Sequence, residues 1–239
     1  MNKLKQFLIR ELPYTWVRYI TSFTYNKERF KLKASAKVFE EIYDTNLWRS
    51  DESHSGEGST LEATRKIREA LPSIVSEYKI KSLLDIPCGD YNWMRQVPLN
   101  CHYTGADVVA PLIQANKEKY TTERVDFEVI DLTKGPIPKV DLIFSKDCLQ
   151  HLSNESVHKA IENILASDAT YLLITNYPKT WRNYDIYDGD YRALNLMIAP
   201  FHFPKPLTTI SENVKLEGVE PDKTMNLYRI ADLKTHFKK

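Results

Sequence analysis

The sequence predicts an α/β fold, a mostly parallel sheet with helices on both faces that ends in an antiparallel hairpin. Three observations lead there. Between residues 80 and 176, short apolar runs alternate with stretches of helical period; this is the pattern of βαβ units, whose right-handed crossovers make the sheet parallel. The last two apolar runs, 207–216 and 225–230, are separated only by a short segment holding Gly218 and Pro221, and consecutive strands joined so closely pair antiparallel. Four successive strand ends deliver an aspartate: Asp85, Asp107, Asp131 and Asp147.

The elements follow in chain order. Residues 1–45 read as a basic helical extension and 46–239 as one α/β domain, since 239 residues with 42% apolar and 27% charged composition suit a single core with an appendage. Residues 46–59 (NLWRSDESHSGEGS) have loop composition. A helix is expected directly after them, because Ser59 and Glu62 are spaced as a capping box and Ile67, Leu71, Ile74 and Tyr78 share one face. Ser82–Ile86, Tyr103–Asp107, Val125–Ile130, Val140–Phe144 and Tyr171–Thr175 read as strands. Between them lie a helix over 110–120 and another capped by Ser153, with Val157, Ala160, Ile161, Ile164 and Leu165 on its apolar side. Residues 177–207, with four prolines and many aromatic rings, break the rhythm as a binding insertion.

Ligands of open α/β sheets bind beyond the carboxyl ends of the strands, at the point where strand order reverses. Asp85 there can accept from an amine or another cation, and Gly89 lets backbone approach a ligand. Asp107, 22 residues after Asp85, is placed to accept from a ribose diol. Asp131 and Leu132 suit the amino group and face of an adenine, while Asp147 and His151 fall in the loop before the next helix. Each aspartate taken alone is as well explained by a turn or a cap, and Lys146 alone by a solvated side chain. The weight lies in the ordered set.

The motifs LLDIPCGDYNW, YTGADVV, VIDLT and DLIFSKDCLQHL resemble the class I S-adenosylmethionine-dependent methyltransferase family. The resemblance spans roughly residues 55–239. It implies a Rossmann-like, seven-stranded sheet with an antiparallel last strand, S-adenosyl-L-methionine as cofactor and S-adenosyl-L-homocysteine as product. Carried over by position, Asp85, Pro87, Cys88 and Gly89 form the loop under the methionine portion. Asp107, with Val108 beside it, holds the ribose, Asp131 and Leu132 the adenine, and Ser145, Lys146 and Asp147 the face nearest the methyl group. Ser55 and Gly58, in the loop before the first helix, are expected near the cofactor. The usual G-x-G-x-G loop keeps only its middle glycine here, and Asp90 follows it. A pyrophosphate needs close backbone approach and no facing carboxylate, so the departure argues against a nicotinamide oxidoreductase. LWRSDESHSGEGS and the insertion resemble a bacterial subgroup associated with surface-polysaccharide modification.

The expected reaction is O-methylation of a sugar or glycan hydroxyl, with Asp147 or His151 as general base. Trp181, Tyr184, Tyr187, Tyr191 and Arg192 are expected to wall the acceptor. A phosphate or small metabolite is the alternative acceptor. A nucleotide- or RNA-binding module without catalysis is the alternative outside enzymes.

Composition bounds the setting. There is no run of eighteen apolar residues, hence no transmembrane helix in sequence. Three scattered cysteines suit a reducing, cytoplasmic location rather than a disulfide scaffold. Arg10, Glu11 and Arg18 interrupt the early apolar stretches and argue against a secretory signal. No His pair has metal-ligand spacing, so no metal is expected. Residues 1–37 hold nine Lys or Arg against two Glu, a net of +7, which leaves the remainder near −6. Such an arm can touch anionic lipid at the inner membrane face, or pack Leu8, Trp16 and Tyr19 on the domain. The acidic remainder disfavours nucleic acid. The sequence sets no oligomeric state. Glycine is scarce, at seven residues, and Gly56, Gly58, Gly89, Gly105 and Gly189 fall where ligand contact is expected.

Overall fold

The computed structural model describes residues 30–31, 33–48, 50–212 and 222–238. Residues 1–29 of the basic arm, with Leu8, Trp16 and Tyr19, lie outside the described residues.

Seven strands form one sheet: β1 (Ser82–Asp85), β2 (His102–Asp107), β3 (Val125–Val129), β4 (Leu142–Ser145), β5 (Tyr171–Asn176), β6 (Thr208–Ser211) and β7 (Thr224–Arg229). Their spatial order is β3-β2-β1-β4-β5-β7-β6. Strands β1 to β5 pair parallel, and β7 lies antiparallel between β5 and β6. The expected hairpin therefore forms, with its second strand inserted next to β5, from Tyr171↔Arg229 to Asn176↔Thr224. The order reverses between β1 and β4, which both flank the loop following β1.

Alternation along the central strands builds two cores. Leu84, Ile143, Leu172 and Ile174 face one way, with Val157, Ala160, Ile161 and Ile164 of α4 (Asn154–Ala166) and Ile230 and Leu233 of α5 (Ile230–Phe237). Leu83, Leu142, Phe144 and Leu173 face the other way, with Ile67, Leu71 and Val75 of α2 (Arg65–Glu77) and Ile113 of α3 (Ala110–Tyr120). Burial on both faces is why these strands read as continuous apolar runs. A third, small cluster joins Phe30 to Val38 and Ile42 of α1 (Ser35–Asp44).

Two local expectations are corrected. The helix after the serine-rich loop starts at Arg65, not directly after Ser59. Residues Glu57–Ser59 form a 3-10 turn, Thr60 Oγ1 accepts from the Ala63 N–H at 3.2 Å in the turn that follows, and the helix itself begins after Thr64 with no side-chain cap. Ser59 instead turns its carbonyl to Asn92 Nδ2 at 3.3 Å. By contrast Ser153 caps α4 as expected, accepting from the Ser156 N–H. No helix among the described residues is long and apolar enough to cross a membrane.

Candidate active site

A cavity of about 400 Å³ opens at the carboxyl ends of β1, β2 and β4. Its volume suits a small-molecule cofactor. Ser55, Gly56, Gly58, Asp85, Pro87, Cys88, Gly89, Asp107, Val108, Asp131, Leu132, Lys146, Asp147 and His151 all line it. Four aspartates far apart in sequence thus reach one wall, because parallel strands place their ends side by side.

The loop after β1 is tied down from both sides. Gly89 adopts φ +55°, and a Cβ on it would sit 2.1 Å from Ser55 Oγ. That hydroxyl accepts from the Asp90 N–H at 3.1 Å. The Asp90 carboxylate accepts from Ser53 Oγ at 3.0 Å, His54 N–H at 2.9 Å and Asn92 N–H at 3.2 Å. The serine-rich loop and the loop after β1 are therefore one unit, with a fixed negative charge where a dinucleotide would need an anion seat. Gly105 and Gly189 depart from their expected ligand-side places. A Cβ on Gly105 would strike Phe127 in the core, and one on Gly189 would strike Val38.

The acidic wall is graded by environment. Asp107 accepts from the Gly89 N–H at 3.3 Å and the Val109 N–H at 3.1 Å. Burial pushes its carboxyl up to about 6, against the pull of these backbone donors. Asp85, 2% exposed, accepts from Tyr103 Oη at 2.7 Å, and burial pushes it up to about 8. Asp131 is lower than an ordinary carboxyl: burial raises it, but Thr133 and Lys134 outweigh that. Thr133 Oγ1 donates to Asp131 Oδ1 at 2.6 Å. These residues fit S-adenosylmethionine: carboxylates for a cation, a ribose diol and an amino group, and no seat for phosphate.

At the end of β4 the geometry corrects the sequence reading. Lys146 is 5% exposed, not solvated, and donates to Gly58 O at 2.8 Å and to Asp147. Lys223 Nζ lies 2.8 Å from Asp147 Oδ2 and 3.3 Å from Glu212 Oε2. Gln150 Nε2 donates to Asp147 Oδ1 at 2.8 Å. Burial alone would raise the Asp147 carboxyl, but Lys146 and Lys223 hold it far below the carboxylate range. A carboxylate so held, bonded to two ammonium groups, is a poor proton acceptor, which argues against Asp147 as the general base. Asp147 also sits at φ +53°, a left-handed backbone at the mouth of the loop. Ser145 ends β4 fully buried and is not on the cavity wall.

His151 has the opposite character. Its Nδ1 lies 3.0 Å from the Asp190 carbonyl, which can only accept. The ring therefore donates from Nδ1 and, when neutral, keeps its lone pair on Nε2. Burial lowers its pKa, partly offset by the Asp190 carbonyl. Trp48 and Tyr191 flank the ring at centroid distances of 5.0 and 5.6 Å.

The expected acceptor wall is largely displaced. Of Trp181, Tyr184, Tyr187, Tyr191 and Arg192, only Tyr191 lines the cavity. Trp181 is 65% exposed, and Arg192 is fully buried, donating to Leu152 O and to Asn154 Oδ1 at 3.1 Å. The aromatic and apolar lining of the cavity instead includes Phe39, Ile42 and Tyr43 of α1, Trp48, His54 and Tyr177. Trp48 stood in the quoted LWRSDES stretch, but nothing in sequence pointed to Lys223 or Glu212.

The strand order, the switch-point cavity and its acidic wall define the class I methyltransferase fold. Residues 83–167 match the family model described as a methyltransferase domain. The chain thus carries a methyltransferase domain over those residues within a class I methyltransferase fold, and is a transferase whose cofactor is S-adenosylmethionine. No curated protein matches the chain. Among similar solved structures is the N-methyltransferase NodS from Bradyrhizobium japonicum WM9 in complex with S-adenosyl-L-homocysteine, with TM-score 0.59 and 14% identity over 79% of this chain and 97% of that one. Magnesium protoporphyrin IX methyltransferase (ChlM) from Synechocystis PCC 6803 with bound S-adenosylhomocysteine aligns with TM-score 0.55 and 12% identity, over 82% and 99%. At such identities the likeness is one of fold.

Proposed function

We propose that this enzyme methylates a hydroxyl of a neutral, sugar-like acceptor, with His151 as the general base. The observation that carries the reading is the His151 Nδ1–Asp190 carbonyl bond, which leaves a neutral Nε2 lone pair on a ring lining the cavity between two aromatic side chains. Aromatic faces with polar rims suit the apolar face and hydroxyl edge of a sugar. Tyr191 Oη and Tyr177 Oη stand 3.4 Å apart on this side. Against a phosphate acceptor, the cations Lys146 and Lys223 are each shared between Asp147 and Glu212.

Bound S-adenosylmethionine supplies an electrophilic methyl on a sulfonium sulfur that departs as a neutral thioether. With the cofactor bound, His151 Nε2 would take the proton from the acceptor hydroxyl. Asp107 and Asp131 would hold the nucleoside, and the Ser53–Asp90 unit would fix the Gly89 loop that receives the methionine portion. The net +7 of residues 1–37 supports contact with anionic lipid, which sedimentation with phosphatidylglycerol vesicles at rising salt would test.

The test has two stages. Calorimetry should detect S-adenosylmethionine and S-adenosylhomocysteine binding to the wild type and weakened binding to Asp107→Ala. Labelled methyl transfer to a panel of neutral and phosphorylated sugars should then favour the neutral ones and collapse in His151→Ala. Normal turnover by His151→Ala, with the cofactor bound, would remove the base assignment.

A further inference from the structure

Resting on the reading of His151 as the base, we propose that the 177–207 insertion is a strap that positions this histidine, with Asp188 as its anchor. Every residue from Gln150 to Asn154 is bonded to the insertion. The Arg192 N–H donates to Gln150 O at 3.0 Å, and the Gly189 N–H donates to His151 O at 2.7 Å. Asp190 O receives the His151 ring N–H. The Arg192 guanidinium donates to Leu152 O and to Asn154 Oδ1. Asp188 Oδ1 accepts from the Ser153 N–H at 2.7 Å and Asp185 Oδ1 from the Asn154 N–H at 2.7 Å. Asp188 Oδ2 accepts from Ser156 Oγ at 2.8 Å.

The chemistry of these bonds separates a positioning role from ordinary loop packing. Both the backbone and the ring of His151 bond to the adjacent residues Gly189 and Asp190, so the strap sets the ring's orientation and its tautomer together. Asp188 holds those two residues in register by gripping the first turn of α4, where N–H groups are free and a carboxylate is favoured. From behind, Gly189 is pressed by α1: at φ +94° it has no room for a Cβ, which would stand 2.2 Å from Val38 Cγ1. The charges that act on the ring are Asp147, Arg192 and Lys223, of which only Arg192 belongs to the strap.

Asp188→Ala removes both anchor bonds without touching the cavity wall. Turnover should fall about ten- to hundredfold, the effect of a misplaced catalytic group, with the cofactor KM unchanged. The His151 nitrogen resonances should show mixed tautomers in place of Nδ1–H alone. Asp188→Asn should restore most of the turnover, because the amide oxygen still accepts from the Ser153 N–H and its NH2 can donate to Ser156 Oγ. Ser156→Ala, which removes one anchor bond and is mild for folding, should lose turnover to a smaller degree. Normal turnover and a single tautomer in Asp188→Ala, or in Ser156→Ala should Asp188→Ala not fold, would overturn the strap. If His151→Ala itself stays active, the base reading fails first, and the two failures are thereby told apart.

Discussion

Lys223 Nζ lies 2.8 Å from Asp147 Oδ2, joining the residue before β7 to the loop after β4 across 76 positions of sequence. Lys146 shares the same carboxylate oxygen, and Glu212 balances both ammonium groups. Two cations and two anions thus form a balanced cluster beside the cavity, three of whose members line it.

Breaking that balance should unfold before it inactivates. Asp147→Asn leaves two buried ammonium groups facing one carboxylate, and loss of a buried partner costs about 3–5 kcal/mol. Urea denaturation should report that loss. The pH–rate profile of the residual activity should keep the wild-type shape if His151 is the base.

Activity should instead follow His151. Burial lowers its pKa, so the neutral, proton-accepting form persists below the ordinary histidine range. The rate should rise with pH through a midpoint below about 6.5 and be flat at neutrality. A midpoint above that value would contradict the buried, neutral ring, and His151→Gln should abolish the acid limb together with the turnover.

Asp85 sets a stability trend in the cofactor-free protein. Its folded carboxyl titrates near 8 and its unfolded one near 3.8, so between those values the folded state binds the extra proton. Stability should therefore fall as pH rises across this window, by up to about 1.4 kcal/mol per pH unit. Asp85→Asn should flatten the trend in thermal melts from pH 6 to 8, above the range in which Asp107 also titrates.

Gly89→Ala should be costly at the cofactor loop. The left-handed backbone costs about 1–2 kcal/mol for a residue with a Cβ, and the methyl would meet Ser55 Oγ. Calorimetry with S-adenosylhomocysteine should show weaker binding, and adding Ser55→Ala should recover only the part due to the collision.

The displaced acceptor wall separates two sets of aromatic residues. Trp48→Ala or Tyr191→Ala should raise the acceptor KM by an amount equivalent to about 0.5–1.5 kcal/mol. Trp181→Ala, at an exposed position away from the cavity, should leave it unchanged. The reverse ranking would return the acceptor to the outer face of the insertion.

Much of the fold was written in local pattern. Leu83-Leu84, Leu142-Ile143-Phe144 and Leu172-Leu173-Ile174 read as two-faced buried strands because a parallel sheet between helices needs apolar residues on both sides. Asp85, Asp107, Asp131 and Asp147 could be placed on one wall because strand ends in such a sheet share one edge. The helix start was misplaced at Ser59 because a capping-box spacing is a local signal, whereas residues 57–64 fold into turns that Asn92 and Glu52 tie to the rest of the domain.

The division falls between what backbone periodicity specifies and what side chains settle by meeting partners. By itself the sequence determined the sheet, its antiparallel end and the chemistry of the cofactor wall, all of which depend on spacing along one segment at a time. Tertiary structure alone decided that Asp147 is neutralised by Lys223, that Arg192 is a buried brace, and that Trp48 from the N-terminal side faces His151. A proton affinity or an orientation is a property of the neighbours a group acquires on folding, and those neighbours lie far away in sequence.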